Sequence, residues 1–116
     1  MKPEDKPDIK EFRELVSEIV SMIPKGRATS YGAIARSIGY PSHSRMVGKA
    51  LADSAVQNIP AHRVVNSQGE LSGKDAFKTP DTMQELLESE GVTVENNRIK
   101  NWRKVFWDPV SEIRLD

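Results

Sequence analysis

From Ile9 onward, apolar residues recur at helical spacing: Ile9, Phe12, Leu15, Val16, Ile19, Val20 and Ile23, with acids and bases between them. Pro24 and Gly26 end that amphipathic helix. A second, short helix is predicted from Tyr31 to Ile38, opened by Thr29 or Ser30, whose hydroxyls can cap free amides, and closed at Gly39. The turn Tyr40-Pro41-Ser42 leads to a third helix over residues 43–53 that turns Val47, Ala50 and Leu51 inward. Two short helices joined by a Gly/Pro turn fit a helix-turn-helix. Short helical hairpins are common, so the pattern alone does not decide a role.

Further on, Asn66-Ser67-Gln68-Gly69 reads as a turn between Arg63-Val64-Val65 and Glu70-Leu71. Thr79 caps a helix that starts at Pro80, places Asp81 in its first turn, carries Met83, Leu86 and Leu87 on one face and ends at Gly91. Residues 92–95 and 98–99 around Asn96-Asn97 read as a hairpin, and Trp102, Phe106 and Trp107 follow in a C-terminal stretch. The expected fold is mostly α with small β-hairpins: one winged helix-turn-helix-like domain over residues 9–107, with tails at 1–8 and 108–116.

Composition narrows the classes. The 37% apolar and 29% charged content is that of a globular chain, and no apolar run approaches the ~20 residues that span a bilayer. Residues 1–8 lack an apolar stretch, so no signal peptide is expected, and a cytoplasmic location (nucleoid-associated in a bacterium) follows as the expectation. The absence of cysteine excludes disulfides and thiolate metal sites. No metal or cofactor is expected, and the chain is expected to act as a monomer.

The net charge of zero hides a segregation. Residues 19–69 hold six bases (Lys25, Arg27, Arg36, Arg45, Lys49 and Arg63) against the single acid Asp53, while both flanks are net acidic. Such a block is either a solvated surface or a polyanion-binding face. Arg45 favours the second reading. With Ser42 as cap it lies in the first turn of the third helix, where a positive charge opposes the helix dipole at a cost of ~0.3–1 kcal/mol. A negatively charged or stacked partner explains it better than stability does. Gly48, Ala50 and Ala52 give the same helix a low profile, suited to close approach by another surface, whether a packed helix or a DNA groove.

The segment Pro60-Ala61-His62-Arg63-Val64 resembles the Pro-Cys-His-Arg-Val active-site motif of the O6-alkylguanine-DNA alkyltransferases. Two further blocks agree in order: Gly26-Arg27-Ala28-Thr29-Ser30-Tyr31-Gly32, and Arg45-Met46-Val47-Gly48-Lys49-Ala50 against Arg-Ala-Val-Gly-Gly-Ala. The similarity runs from Ile9 to Gly91 and points to the alkyltransferase-like, non-catalytic branch, because Ala61 stands where the alkyl-accepting thiol would be. A thiolate is a strong nucleophile near neutral pH, and a methyl group is none.

The resemblance implies a set of roles. Arg45 would enter the base stack in place of a flipped nucleotide. Tyr31 would press on the phosphate beside it, with Thr29, Ser30, Gly48, Lys49 and Ala50 completing the DNA contact. The lesion pocket would be formed by Tyr31, Pro60, Ala61, His62, Arg63, Val64, Ser72 and Lys74. His62 and Glu90, the remains of a proton relay with nothing to activate, would hold the pocket's geometry. Two departures stand out: Lys74 replaces a tyrosine close to the modified oxygen, where it either donates to that oxygen or is merely solvated, and the family's hinge asparagine is absent near Asp53. Tyr31 as a core residue stays open as well.

The expected function is therefore non-enzymatic recognition of O6-alkylguanine in duplex DNA through the minor groove, flagging the lesion for nucleotide excision repair proteins. A helix-turn-helix transcriptional regulator without lesion specificity is the first alternative, although its recognition helix would offer polar readers where this one offers Gly48, Ala50 and Ala52. An enzyme using a water activated by His62 is the second. An alkyltransferase whose cysteine was engineered to Ala61 is the third, and the single-domain length favours a natural alanine.

Overall fold

The computed structural model describes residues 7–53 and 58–113, and Asp53 by its backbone only. Helix α1 (Ile9–Ser21) opens on Asp8, whose carboxylate accepts from the Glu11 amide at 3.0 Å. Phe12, Val16 and Val20, spaced i, i+4, i+8, form its buried face. Ile9, part of the same apolar series, is 62% exposed. Strand β1 (Thr29–Ser30) runs directly into α2 (Tyr31–Ser37), capped by Ser30, whose hydroxyl accepts from the Ala33 amide at 3.1 Å. Gly39, at φ +90°, turns the chain toward α3 (Ser44–Asp53). Ser42 does not cap that helix; its hydroxyl pairs with His43 Nδ1 at 3.3 Å, and the helix begins two residues later.

After a 3-10 turn at Ala61–Arg63, strand β2 (Val64–Val65) pairs in parallel with β1, Thr29 opposite Val64 and Ser30 opposite Val65. Successive strand residues face opposite ways, and this pair divides the interior accordingly. Val64 joins the core of α1, α2 and α3, whereas Val65 joins a second core with Leu71, Met83, Leu87 and Ile99. A second 3-10 turn (Lys74–Ala76) precedes α4 (Thr82–Ser89). That helix starts later than Pro80, because Thr79 Oγ1 bonds Thr82 Oγ1 and holds residues 80–81 in a turn. At its end Gly91 takes φ +91° and the Val92 amide reaches back to Leu87 O. Strands β3 (Val94–Glu95) and β4 (Arg98–Ile99) form the hairpin, with Asn96 and Asn97 both left-handed at φ 52° and 64°, the signature of a type I′ turn.

The C-terminal stretch is structural rather than a tail. After α5 (Trp102–Val105), the Trp107 amide donates to Ala28 O at 2.7 Å, and its ring is 4% exposed in the first core. Helix α6 (Pro109–Glu112), inside the expected tail at 108–116, packs on α2, and Glu112 pairs with Arg27 at 3.0 Å. At the other end, Pro7 is buried and Asp8 caps α1, so the domain begins before residue 9. The architecture is mostly helical with one hairpin and one parallel strand pair in place of several hairpins.

Candidate functional site

A cavity of about 630 Å³ opens beside α3 where the two cores meet. Helix α2 contributes Tyr31, and α3 contributes Gly48, Leu51 and Ala52. The segment at its back supplies Ile59, Ala61, His62 and Val64. Its outer wall is the loop carrying Gly73, Ala76, Phe77 and Lys78, backed by Met83 and Leu86 of α4. The size suits a ligand, and the lining is mainly carbon with few polar groups, as in small-molecule sites. The chain has no cysteine, and position 61 offers only a methyl group to this space.

Beneath the cavity lies a buried ionic cluster. Glu90 accepts from His62 Nε2 at 2.8 Å, from Arg63 Nε at 3.0 Å and Nη2 at 2.6 Å, and from the Gly26 amide at 3.3 Å. Arg63 also donates to Ile23 O at 2.6 Å. Burial opposes the charge on Glu90, but the bonds from Arg63, His62 and the Gly26 amide outweigh it and bring its pKa down to about 2. A carboxylate only accepts, so the His62 ring donates to it from Nε2. One carboxylate thus ties the cavity's back segment to α4 and to the end of α1.

Tyr31 stands at the crossing of three elements. Its ring lies over Gly48, where an added Cβ would meet it at 3.7 Å, and its hydroxyl, beside Ser72, would be 2.5 Å from a Cβ on Gly73. Burial raises its pKa against the lowering effect of Ser72, so it stays a neutral phenol. Glycine at 73 is what admits the hydroxyl, whereas a methyl at 48 would make only ordinary contact with the ring.

On its outer side α3 exposes Arg45, Lys49 and Ala52, a stripe at i, i+4, i+7, whereas Ala50 is 5% exposed and packs inward. Gly48 and Ala52 belong both to this side of α3 and to the cavity wall. Arg45 is therefore one helical turn, ~5 Å along the axis, from the cavity's edge. Of the six bases in the central block, Arg63 is spent on Glu90 and Arg27 on Glu112. Lys25, Arg36, Arg45 and Lys49 are exposed and, among the described residues, have no ion pair.

Residues 11–92 match the model of the 6-O-methylguanine DNA methyltransferase DNA-binding domain. The chain is 34% identical over 104 residues to alkyltransferase-like protein 1 of Schizosaccharomyces pombe, covering 85% of this chain and 96% of that protein. It belongs to the alkyltransferase-like family. A DNA base-flipping protein of Vibrio parahaemolyticus is 37% identical over 102 residues, 85% of this chain and 98% of its own length. In three dimensions the chain is similar to the crystal structure of S. pombe Atl1 in complex with damaged DNA containing O6-carboxymethylguanine. The TM-score is 0.78 at 34% identity, covering 87% of this chain and 98% of that one.

Within this family frame the expected site residues divide. Tyr31, Ala61, His62 and Val64 line the cavity. Pro60, Ser72 and Lys74 stand next to wall residues without lining it: Pro60 opens the 3-10 turn that carries Ala61 and His62, Ser72 lies beside the Tyr31 hydroxyl, and Lys74 begins the outer 3-10 turn. Arg63 is not pocket wall, because its guanidinium is drawn to Glu90 and Ile23 O. Thr29 cannot reach a phosphate from its 0% exposed position; its Oγ1 has no partner among the described residues. Ser30 is occupied in capping α2, and Ala50 faces the core. Sequence reasoning missed Phe77, Lys78 and Leu86 as wall residues. Leu86 shares the apolar face of α4 with Met83 and Leu87, but it is 39% exposed and lines the cavity.

Proposed function

We propose that this protein recognises O6-alkylguanine in duplex DNA by drawing the nucleotide out of the helix into the cavity beside α3, and holds it there without repairing it. One observation carries the reading: α3 presents Arg45 and Lys49 on the same side as the Gly48 and Ala52 that rim the cavity. A duplex seated on that side would place its base stack against Arg45 and a flipped base over the opening. The low profile at Gly48 and Ala52 suits the minor groove, and Lys49, Lys25 and Arg36 supply cations for phosphates.

Extrusion costs a few kcal/mol, less where the pair is already weakened by alkylation, and this supplies part of the selectivity. Arg45 entering the stack would offset lost stacking by its planar guanidinium. Tyr31, seated on Gly48 beside Ser72, would stand beside the rotated phosphate as a neutral, bulky wedge. The back wall meets the alkyl group with the methyl of Ala61, leaving room for substituents larger than methyl and no thiol to accept them. His62, fixed by Glu90, keeps that wall in place. The names of the relatives, base-flipping and alkyltransferase-like proteins, support the same reading. Delivery of the held lesion to nucleotide excision repair is the downstream step we propose with it. Incubating excess protein with an O6-methylguanine duplex should return the base unchanged; transfer or hydrolysis of the methyl group would refute the non-catalytic part.

A further inference from the structure

Among the described residues the cavity wall contains no acid, and the ammonium on it is that of Lys78. His62 is committed through Nε2 to Glu90. Lys78 is exposed at the outer wall, next to the half-buried Phe77, and has no ion pair among the described residues. A cavity lined by Leu51, Ile59, Phe77, Met83 and Leu86 would rank neutral alkyl groups by the apolar surface they bury. One unpaired ammonium at its rim adds a preference that area cannot give. It attracts a negative charge carried by the substituent, in a site whose carbon walls weaken solvent screening.

Resting on the lesion-recognition reading above, we propose that Lys78 is a specificity-determining residue that makes the cavity favour O6-substituents ending in a carboxylate over neutral ones of the same size. The lysine is a compact charge on a flexible stem, able to follow substituents of different length. The nearest sequence alternative, Lys74, is half-buried in the outer 3-10 turn and does not line the cavity. For a partly solvated pair the preference is about three- to fivefold in affinity, and it shrinks as salt rises.

The test compares four duplexes of one sequence carrying guanine, O6-methylguanine, O6-carboxymethylguanine or its neutral amide, O6-carbamoylmethylguanine. The wild type is expected to bind the carboxymethyl duplex about three- to fivefold more tightly than the carbamoylmethyl one. Lys78→Met should bring that ratio to one, and Lys78→Glu should invert it; Lys78 is exposed, so both variants should fold. A wild-type ratio of one, a ratio unchanged in Lys78→Met, or an equal loss on all four duplexes (a phosphate contact) would each overturn the assignment. If O6-methylguanine bound no better than guanine in the wild type, the lesion-recognition reading itself would fail, an outcome distinct from a lost charge preference.

Discussion

Replacing Glu90 by Gln removes one charge from the cluster beneath the cavity and changes almost nothing in volume. Arg63, 9% exposed, then keeps a buried positive charge with only a neutral amide and Ile23 O to face it. Depressing the Glu90 pKa from 4.5 to about 2 corresponds to about 3 kcal/mol of native-state stabilisation at neutral pH. This lies at the lower edge of the ~3–5 kcal/mol lost when one partner of a buried ion pair is deleted. Because the folded pKa is the lower one, the contribution is complete above pH 4.5 and is lost as pH falls toward 2. By pH 3 about 1 kcal/mol should remain. Urea denaturation of wild type and Glu90→Gln should thus differ by about 3 kcal/mol at pH 7, or roughly 10 °C in Tm, and by clearly less at pH 3. A difference below ~1 kcal/mol at pH 7, or one as large at pH 3 as at pH 7, would show that Glu90 is not the keystone of the cluster.

Four more outcomes are expected. Arg45→Ala should leave the urea midpoint within ~0.5 kcal/mol of wild type, since Arg45 is exposed, while weakening lesion-duplex binding at least tenfold in a fluorescence anisotropy titration; unaltered affinity would remove it from the base stack. The logarithm of the binding constant should fall with the logarithm of salt with a slope of roughly −3 to −4, from the four unpaired cations of the central block; a slope near −1 would place phosphate binding elsewhere. Gly73→Ala should displace the Tyr31 hydroxyl, 2.5 Å from the new Cβ, and lower lesion affinity several-fold. Gly32→Ala, with no atom within 4 Å of its Cβ in helix α2, should instead stabilise the fold by about 0.5–1 kcal/mol; equal effects of the two would contradict the packing of Tyr31.

Helices α1 to α4 were legible because their signals are local. Apolar spacing in α1, the hydroxyl before α2 and the glycines at 39 and 91 all act within one or two turns. The Asn96-Asn97 turn was readable for the same reason. What escaped depends on distant parts of the chain. Strands β1 and β2 are two residues each, too short to leave a period, and they pair across 35 positions. Arg27 and Arg63 look like surface cations until Glu112 and Glu90 arrive, 85 and 27 residues away. Nothing near Trp107 announces that Ala28 O will anchor it in the core. In the site, motif residues Tyr31, Ala61 and His62 do come together around the cavity, whereas Phe77 and Lys78 lie in an irregular loop whose sequence carries no period at all. The one available signal was an aromatic residue left outside any helix or strand.

Lesion recognition is tested most directly by two duplexes, identical except for one O6-methylguanine, titrated against the wild-type protein at a single moderate salt concentration. It predicts at least tenfold tighter binding to the alkylated duplex, because the weakened pair is easier to extrude and the cavity beside Ala61 receives its base. Equal affinity for the two would contradict lesion recognition and leave a helix-turn-helix that binds DNA for another purpose.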